Sequence, residues 1–229
     1  MKHQLTLVLA AMFALLIGIA TYVWLLSPKS SEDMPSTRLL NEQPASAVSE
    51  QVLLYQPEKA LAPFVLQDQH NALFNRTSLE GRWSLVFLGY TYCPDVCPTT
   101  LAMLNSVYPK LQDVSDKPVQ IVFVSADPER DTPARLNEYI GYFNPEFVAA
   151  TGPHPDLFPL TRNLGLAYAM YDGETPDSYT VDHSASIVLV NPNGNIQAVF
   201  RPHAEPGQLA TIRSKQLVSD FKDVLSAVQ

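Results

Sequence analysis

The sequence predicts a mixed α/β domain, a sheet with helices on both faces. Three observations carry that expectation. Strand-like and helix-like segments alternate after residue 60. Two β-α-β passages are followed by a hairpin and a last helix, the order of a layered α/β fold. The run Trp83–Gly89 is almost wholly apolar, as befits a central strand buried on both faces.

Taken in order, Pro63–Leu66, a turn around Asp68–Asn71, and Ala72–Phe74 read as a hairpin. Trp83–Gly89 follows. Thr99–Leu111 puts Leu101, Leu104, Val107, Tyr108 and Leu111 on one helical stripe, with Pro109 as a candidate kink or early stop. Gln120–Ala126 is the next strand. Thr132 can cap a helix opened by Pro133 and running to about Tyr142. Pro155–Leu164 is a shorter helix ended near Gly165. Ser186–Asn191 and Asn195–Phe200 flank the turn Pro192-Asn193-Gly194. A final helix is expected from Pro206, with Leu209, Ile212, Leu217, Phe221, Val224 and Leu225 inward.

The amino-terminal part differs in kind. Leu5–Leu26 holds 22 residues without a charge. At about 1.5 Å per residue it spans roughly 33 Å, enough for a hydrocarbon core of about 30 Å. A cleaved signal peptide usually has an apolar core of only about 7–15 residues. Residues 1–26 are therefore expected to be a membrane anchor. Tyr22 and Trp24 suit the interface, and Lys2 favours a cytoplasmic start. Ser27–Glu50 is rich in Ser, Pro, Glu and Gln, so 27–55 reads as a flexible tether and 56–229 as the folded domain. The net charge of −8 argues against a nucleic-acid partner, whose phosphates need a basic face.

The chain has two cysteines, Cys93 and Cys97, in Thr91-Tyr92-Cys93-Pro94-Asp95-Val96-Cys97-Pro98. Three uses are open to a C-x3-C pair. A disulfide staple closing so short a loop is worth only about 2 kcal/mol, against about 4.7 for a 100-residue loop. A redox pair would gain from the adjoining helix start, whose free N–H groups stabilise thiolate. As metal ligands, two soft sulfurs suit Cu(I), Zn(II) or iron–sulfur clusters and call for further ligands, copper needing the fewest. Of the five histidines, His3, His70, His154 and His203 read as anchor, turn or loop residues. His183 stands before the strand Ser186–Asn191, where it can lie beside the cysteine turn. Its neighbour Asp182 can orient the ring or face water. Alternation along extended chain favours water.

Three segments in sequence, the cysteine run above, Ser125-Ala126-Asp127-Pro128-Glu129-Arg130-Asp131-Thr132-Pro133 and Val181-Asp182-His183-Ser184, resemble the Sco (SenC) copper-chaperone family. The resemblance covers about Pro63 to Val228 and the anchor. It implies a thioredoxin-like fold, tethered to the inner membrane, with the domain in the periplasm or an equivalent compartment. It implies copper, as Cu(I) and also Cu(II), bound by Cys93, Cys97 and His183. It further implies maturation of the binuclear copper centre of cytochrome c oxidase subunit II, with that subunit and other copper chaperones as partners. The alternative reading is a thiol–disulfide oxidoreductase that reduces the cysteines of that centre through Cys93 and Cys97. An inert adaptor is a third class. In the Asp127–Asp131 loop, Asp131 and Thr132 are expected to cap a helix, and Glu129 and Arg130 to be solvated. Tyr90, Tyr92, Tyr179 and Phe200 are expected to pack or to rim the site.

Overall fold

A computed structural model describes residues 21–22, 48–173, 179–203 and 210–228. Thr21 and Tyr22 are helical. The rest of the expected anchor, and the tether up to residue 47, lie outside the described residues. Among the described residues no helix is long and apolar enough to cross a membrane.

Eight strands form the main sheet: β1 (Val52–Lys59), β2 (Val65–Asp68), β3 (Leu73–Asn75), β4 (Trp83–Gly89), β5 (Val119–Ser125), β6 (Val148–Thr151), β9 (Ile187–Val190) and β10 (Ile196–Phe200). Their order is β1-β10-β9-β4-β5-β6-β2-β3. The central pairs β4–β5 and β5–β6 are parallel, and the pairs outside them are antiparallel. The parallel pairs are bridged by α1 (Val96–Asp113) and α2 (Pro133–Phe143), the two expected β-α-β passages. A separate two-stranded ribbon, β7 (Tyr168–Asp172) with β8 (Tyr179–His183), lies between α3 (His154–Leu164) and β9. Helix α4 (Ser214–Ala227) closes the chain.

Side-chain alternation along β4 sorts the core into two layers. Leu85 and Phe87 join α1, α2 and α4 on one face, through Leu101, Leu104, Leu136, Ile140, Leu217 and Phe221. Val86 and Leu88 face the other way, onto Leu157, Leu160 and Leu164 of α3. All seven residues of β4 and of β5 are buried, which is why both read as continuous apolar runs.

Pro109 does not stop α1, which continues to Asp113. Pro109 is exposed, so its ring and the carbonyl it leaves unpaired face water rather than the core. The last helix starts at Ser214, not Pro206. Pro206 and Leu209 fall outside the described residues. Thr211 is held in extended pairing with His203, whose N–H donates to the Thr211 carbonyl (2.9 Å), and Ile212 packs on the core ahead of the helix. Strand β1 straddles the expected 55/56 boundary: Val52, Leu53 and Leu54 pair with β10. Its mixed composition gave no period-2 signal, because an edge strand buries little.

Candidate metal centre

Strand β4 ends at Gly89 and the chain turns through Tyr90–Asp95 into α1. Cys93 lies in this turn and Cys97 in the first turn of the helix. The turn is tight: the Cys93 N–H donates to the Tyr90 carbonyl (3.3 Å). The Cys97 N–H, one of the free donors of the helix start, points at Cys93 Sγ (3.5 Å). Gly89 is required by close approach. A Cβ there would lie 2.6 Å from Cys97 Sγ and 2.7 Å from Phe123 Cε2.

His183 arrives from the other side as the last residue of β8, not from a loop. Its Nε2 is 3.2 Å from Cys97 Sγ, and its Nδ1 is 3.2 Å from the Ser184 carbonyl. With a metal bound, a proton on Nδ1 donated to that carbonyl would leave the Nε2 lone pair to face the ion. The rings of Phe87 and Tyr90 meet the imidazole edge-on, at 6.0 and 6.1 Å. Asp182 is exposed on the opposite side of the strand, so it does not orient the ring. The ligand atoms of Cys93, Cys97 and His183 all lie within 4.8 Å of one another. The structure thus brings all three expected site residues together. His70 is exposed in its turn. His154 contacts the Tyr168 hydroxyl through Nδ1 (2.8 Å) and is not among the clustered ligand atoms.

The two thiols are unlike each other. Both are free, but Cys97 is fully buried and Cys93 is half-buried. The Cys97 thiol donating to Cys93 holds the Cys93 thiol down at about 3, aided by His183 and by backbone N–H groups of Cys97 and Asp95, against the opposing effect of burial. Cys97 is pushed up by that same interaction with Cys93 and by its own burial. Two sulfurs and one imidazole nitrogen form a soft, three-point donor set suited to Cu(I). One proton, on Cys97, must leave when a metal enters.

The Asp127–Asp131 loop is far more engaged than its sequence implies. Thr132 caps α2 as expected, its hydroxyl accepting from the Arg135 N–H (3.3 Å). The Asp131 side chain instead reaches the cysteine turn. It accepts from the Thr91 N–H (2.8 Å), the Thr91 hydroxyl (2.6 Å) and the Ser125 hydroxyl (2.5 Å). Burial pushes the Asp131 carboxyl up despite these three donors. Arg130 is only partly solvated. Its Nε pairs with buried Asp127 (2.5 Å), and its guanidinium lies over the Tyr179 ring at 3.7 Å and the Tyr92 ring at 4.8 Å. Tyr179 donates its hydroxyl to Asp127 (2.5 Å). Four residues with a part in shaping the site, Asp127, Arg130, Asp131 and Gly89, therefore escaped assignment. The spacing Asp-x3-Asp before a Pro-opened helix was the available signal for the two acids.

Known proteins resemble this chain in sequence and fold. The SCO1/SenC family profile matches residues 54–217. An SCO2-like protein of Rickettsia prowazekii is 32% identical over 227 residues, 97% of this chain and 98% of that one. Copper-bound ScoI of Bradyrhizobium japonicum is 31% identical, with a TM-score of 0.58 over 71% of this chain and 98% of that one. Copper-bound yeast Sco1 is 25% identical, with a TM-score of 0.64 over 75% of this chain and 91% of that one. The shared fold is thioredoxin-like, a mixed sheet flanked by helices. With the family profile spanning most of the domain, this chain belongs to the SCO1/SenC family.

Proposed function

We propose that this chain is a copper metallochaperone whose Cys93, Cys97 and His183 hold the ion. Its role on this reading is to help assemble the binuclear copper centre of cytochrome c oxidase subunit II. The observation that carries the reading is the convergence of two soft sulfurs and one imidazole nitrogen within 4.8 Å. Relatives solved with copper bound support it. The apolar run Leu5–Leu26 supports a membrane anchor with the domain in the periplasm or an equivalent compartment, where it meets other copper chaperones and the oxidase subunit. Copper here is cargo. The protein's work on this reading is to hold the ion and release it to the target.

The test is a Cu(I) competition titration on the wild type and on Cys93→Ser, Cys97→Ser and His183→Ala. One copper per chain is expected, with each substitution weakening binding at least about tenfold, the lower end of losses seen at metal sites. Retention of wild-type affinity in the His183 variant would remove that residue from the site.

A second reading rests on the asymmetry of the thiols. A half-buried, acidic Cys93 beside a sealed Cys97 suits a dithiol reductase. The Cys93 thiolate would attack a target disulfide and displace one target sulfur as thiolate. The Cys97 sulfur, giving up its proton, would then attack Cys93, form the Cys93–Cys97 disulfide and release the second target thiolate. Trapping of a mixed disulfide with an oxidised copper-centre peptide by Cys97→Ser, undiminished in Cys97→Ser/His183→Ala, would favour this reading.

A further inference from the structure

The His183 ribbon has a weak hold of its own. It is a two-stranded sheet separate from the main one, and isolated two-stranded ribbons are marginal in water. Four of the five residues of β7 are exposed. Within β8 only Val181 is fully buried. Yet a ligand must be held to within about 0.5 Å to serve a site. Something beyond the ribbon must fix it.

The Asp127–Asp131 segment touches both halves of the site. Asp131 grips the cysteine turn through the Thr91 N–H and hydroxyl. Arg130 grips the ribbon: its terminal Nη1 donates to the Tyr179 carbonyl (3.1 Å), and its guanidinium covers the Tyr179 ring. The same group lies 4.8 Å from the centre of the Tyr92 ring and 5.8 Å from that of Tyr90. Tyr90 in turn packs edge-on against His183. Asp127 completes the knot, pairing with Arg130 and accepting from the Tyr179 hydroxyl. A guanidinium that merely decorated a surface would keep its nitrogens in water. Here Nη2 is buried with no hydrogen-bond partner among the described residues.

We propose that Arg130 is a positioning residue: its guanidinium clamps the His183 ribbon onto the cysteine turn and so sets the third ligand in place. The inference deepens the copper reading, on which it rests for its functional consequence, while the positioning itself is testable without metal. A planar fork is needed, because one side chain must reach the Asp127 carboxylate and the Tyr179 carbonyl while stacking on aromatic faces. Lysine cannot do all three.

The test uses the full chain with Arg130→Met, Arg130→Lys and His183→Ala. The lysine variant keeps a charge beside Asp127, and so keeps the fold if methionine does not. Two measurements decide. Amide hydrogen exchange on the metal-free protein is expected to speed up at least about tenfold at residues 180–183 in either Arg130 variant, with β4 and α1 unchanged, as local opening of one unit requires. Cu(I) affinity in Arg130→Lys is expected to fall to within about threefold of His183→Ala, and the double variant to fall no further, since a residue acting through another is non-additive with it. Unchanged exchange at 180–183, or additive losses in the double variant, overturns the clamp. If His183→Ala keeps its copper, the site reading fails instead, and the exchange measurement still decides whether Arg130 holds the ribbon.

Discussion

Replacing Gly89 by alanine tests how tightly the fold is built around the sulfurs. The new methyl would meet Cys97 Sγ at 2.6 Å and Phe123 Cε2 at 2.7 Å. Non-bonded carbons settle at about 3.5–4.0 Å, so each neighbour must yield by about 1 Å. Neither has free space, since both side chains are fully buried in the same core layer. Overpacking of this kind costs about 1–3 kcal/mol. For a domain of this size each kcal/mol is worth about 2–4 °C in Tm. A fall of about 2–12 °C is therefore expected from thermal melts followed by circular dichroism. Copper affinity should fall by a comparable free energy. Metal–ligand distances tolerate only about 0.2 Å, and disturbed support behind a ligand typically costs about 10–100-fold in affinity. Gly141→Ala is the control. It lies inside α2 with nothing within 4 Å of a new Cβ, so it should stabilise by about 0.5–1 kcal/mol and leave copper untouched. A Gly89→Ala protein with wild-type Tm and wild-type Cu(I) affinity would refute the claim that Cys97 is fixed by close packing against β4.

Three further outcomes follow from the same geometry. Cys93, held down at about 3, should be alkylated by iodoacetamide at a rate nearly flat from pH 5 to 8, and an inflection near the ordinary thiol value of about 8.5 would contradict its thiolate character. By linkage, Cys93 is thiolate in the fold and thiol in the unfolded chain across that window. Its contribution to stability is thus present above the ordinary thiol pKa and lost as pH falls toward about 3, so Cys93→Ser should flatten the dependence of stability on pH in urea titrations. Asp131→Ala removes the acceptor of three buried hydrogen bonds. It should cost about 2–4 kcal/mol in urea unfolding and loosen the cysteine turn, and a loss below about 1 kcal/mol would mean the turn holds itself. Leu101→Ala, in the core under the site, should cost about 2–5 kcal/mol while leaving Cu(I) stoichiometry at one.

The parts of the fold that were legible in the sequence are those buried on both faces or marked by caps. Trp83–Gly89 and the Thr132-Pro133 start lie where composition places them. So does the αL end of α3 at Gly165, where φ is 76°. The ribbon β7–β8 was not legible. Four of the five residues of β7 are exposed, and the ribbon's position depends on contacts with Arg130 and Tyr90 that are remote in sequence. For that reason His183 was expected in a loop and is found at a strand end. The three ligands were nameable because the two motifs that contain them are local. What holds them is not local. Asp131 reaches 40 residues back to Thr91, and Arg130 reaches 49 forward to Tyr179. A charged run between a strand and a helix is more often solvated than buried, so composition pointed away from the clamp. The late start of α4 reflects a bridge between His203 and Thr211 that no local pattern announces.

The central claim is that one copper ion is held by two sulfurs and one nitrogen from Cys93, Cys97 and His183. X-ray absorption at the copper edge on the Cu(I)-loaded protein tests it most directly. The account predicts two sulfur scatterers and one nitrogen scatterer in the wild type, with the nitrogen lost in His183→Ala. A wild-type spectrum fitted by sulfur alone, or a nitrogen shell that survives His183→Ala, would contradict it.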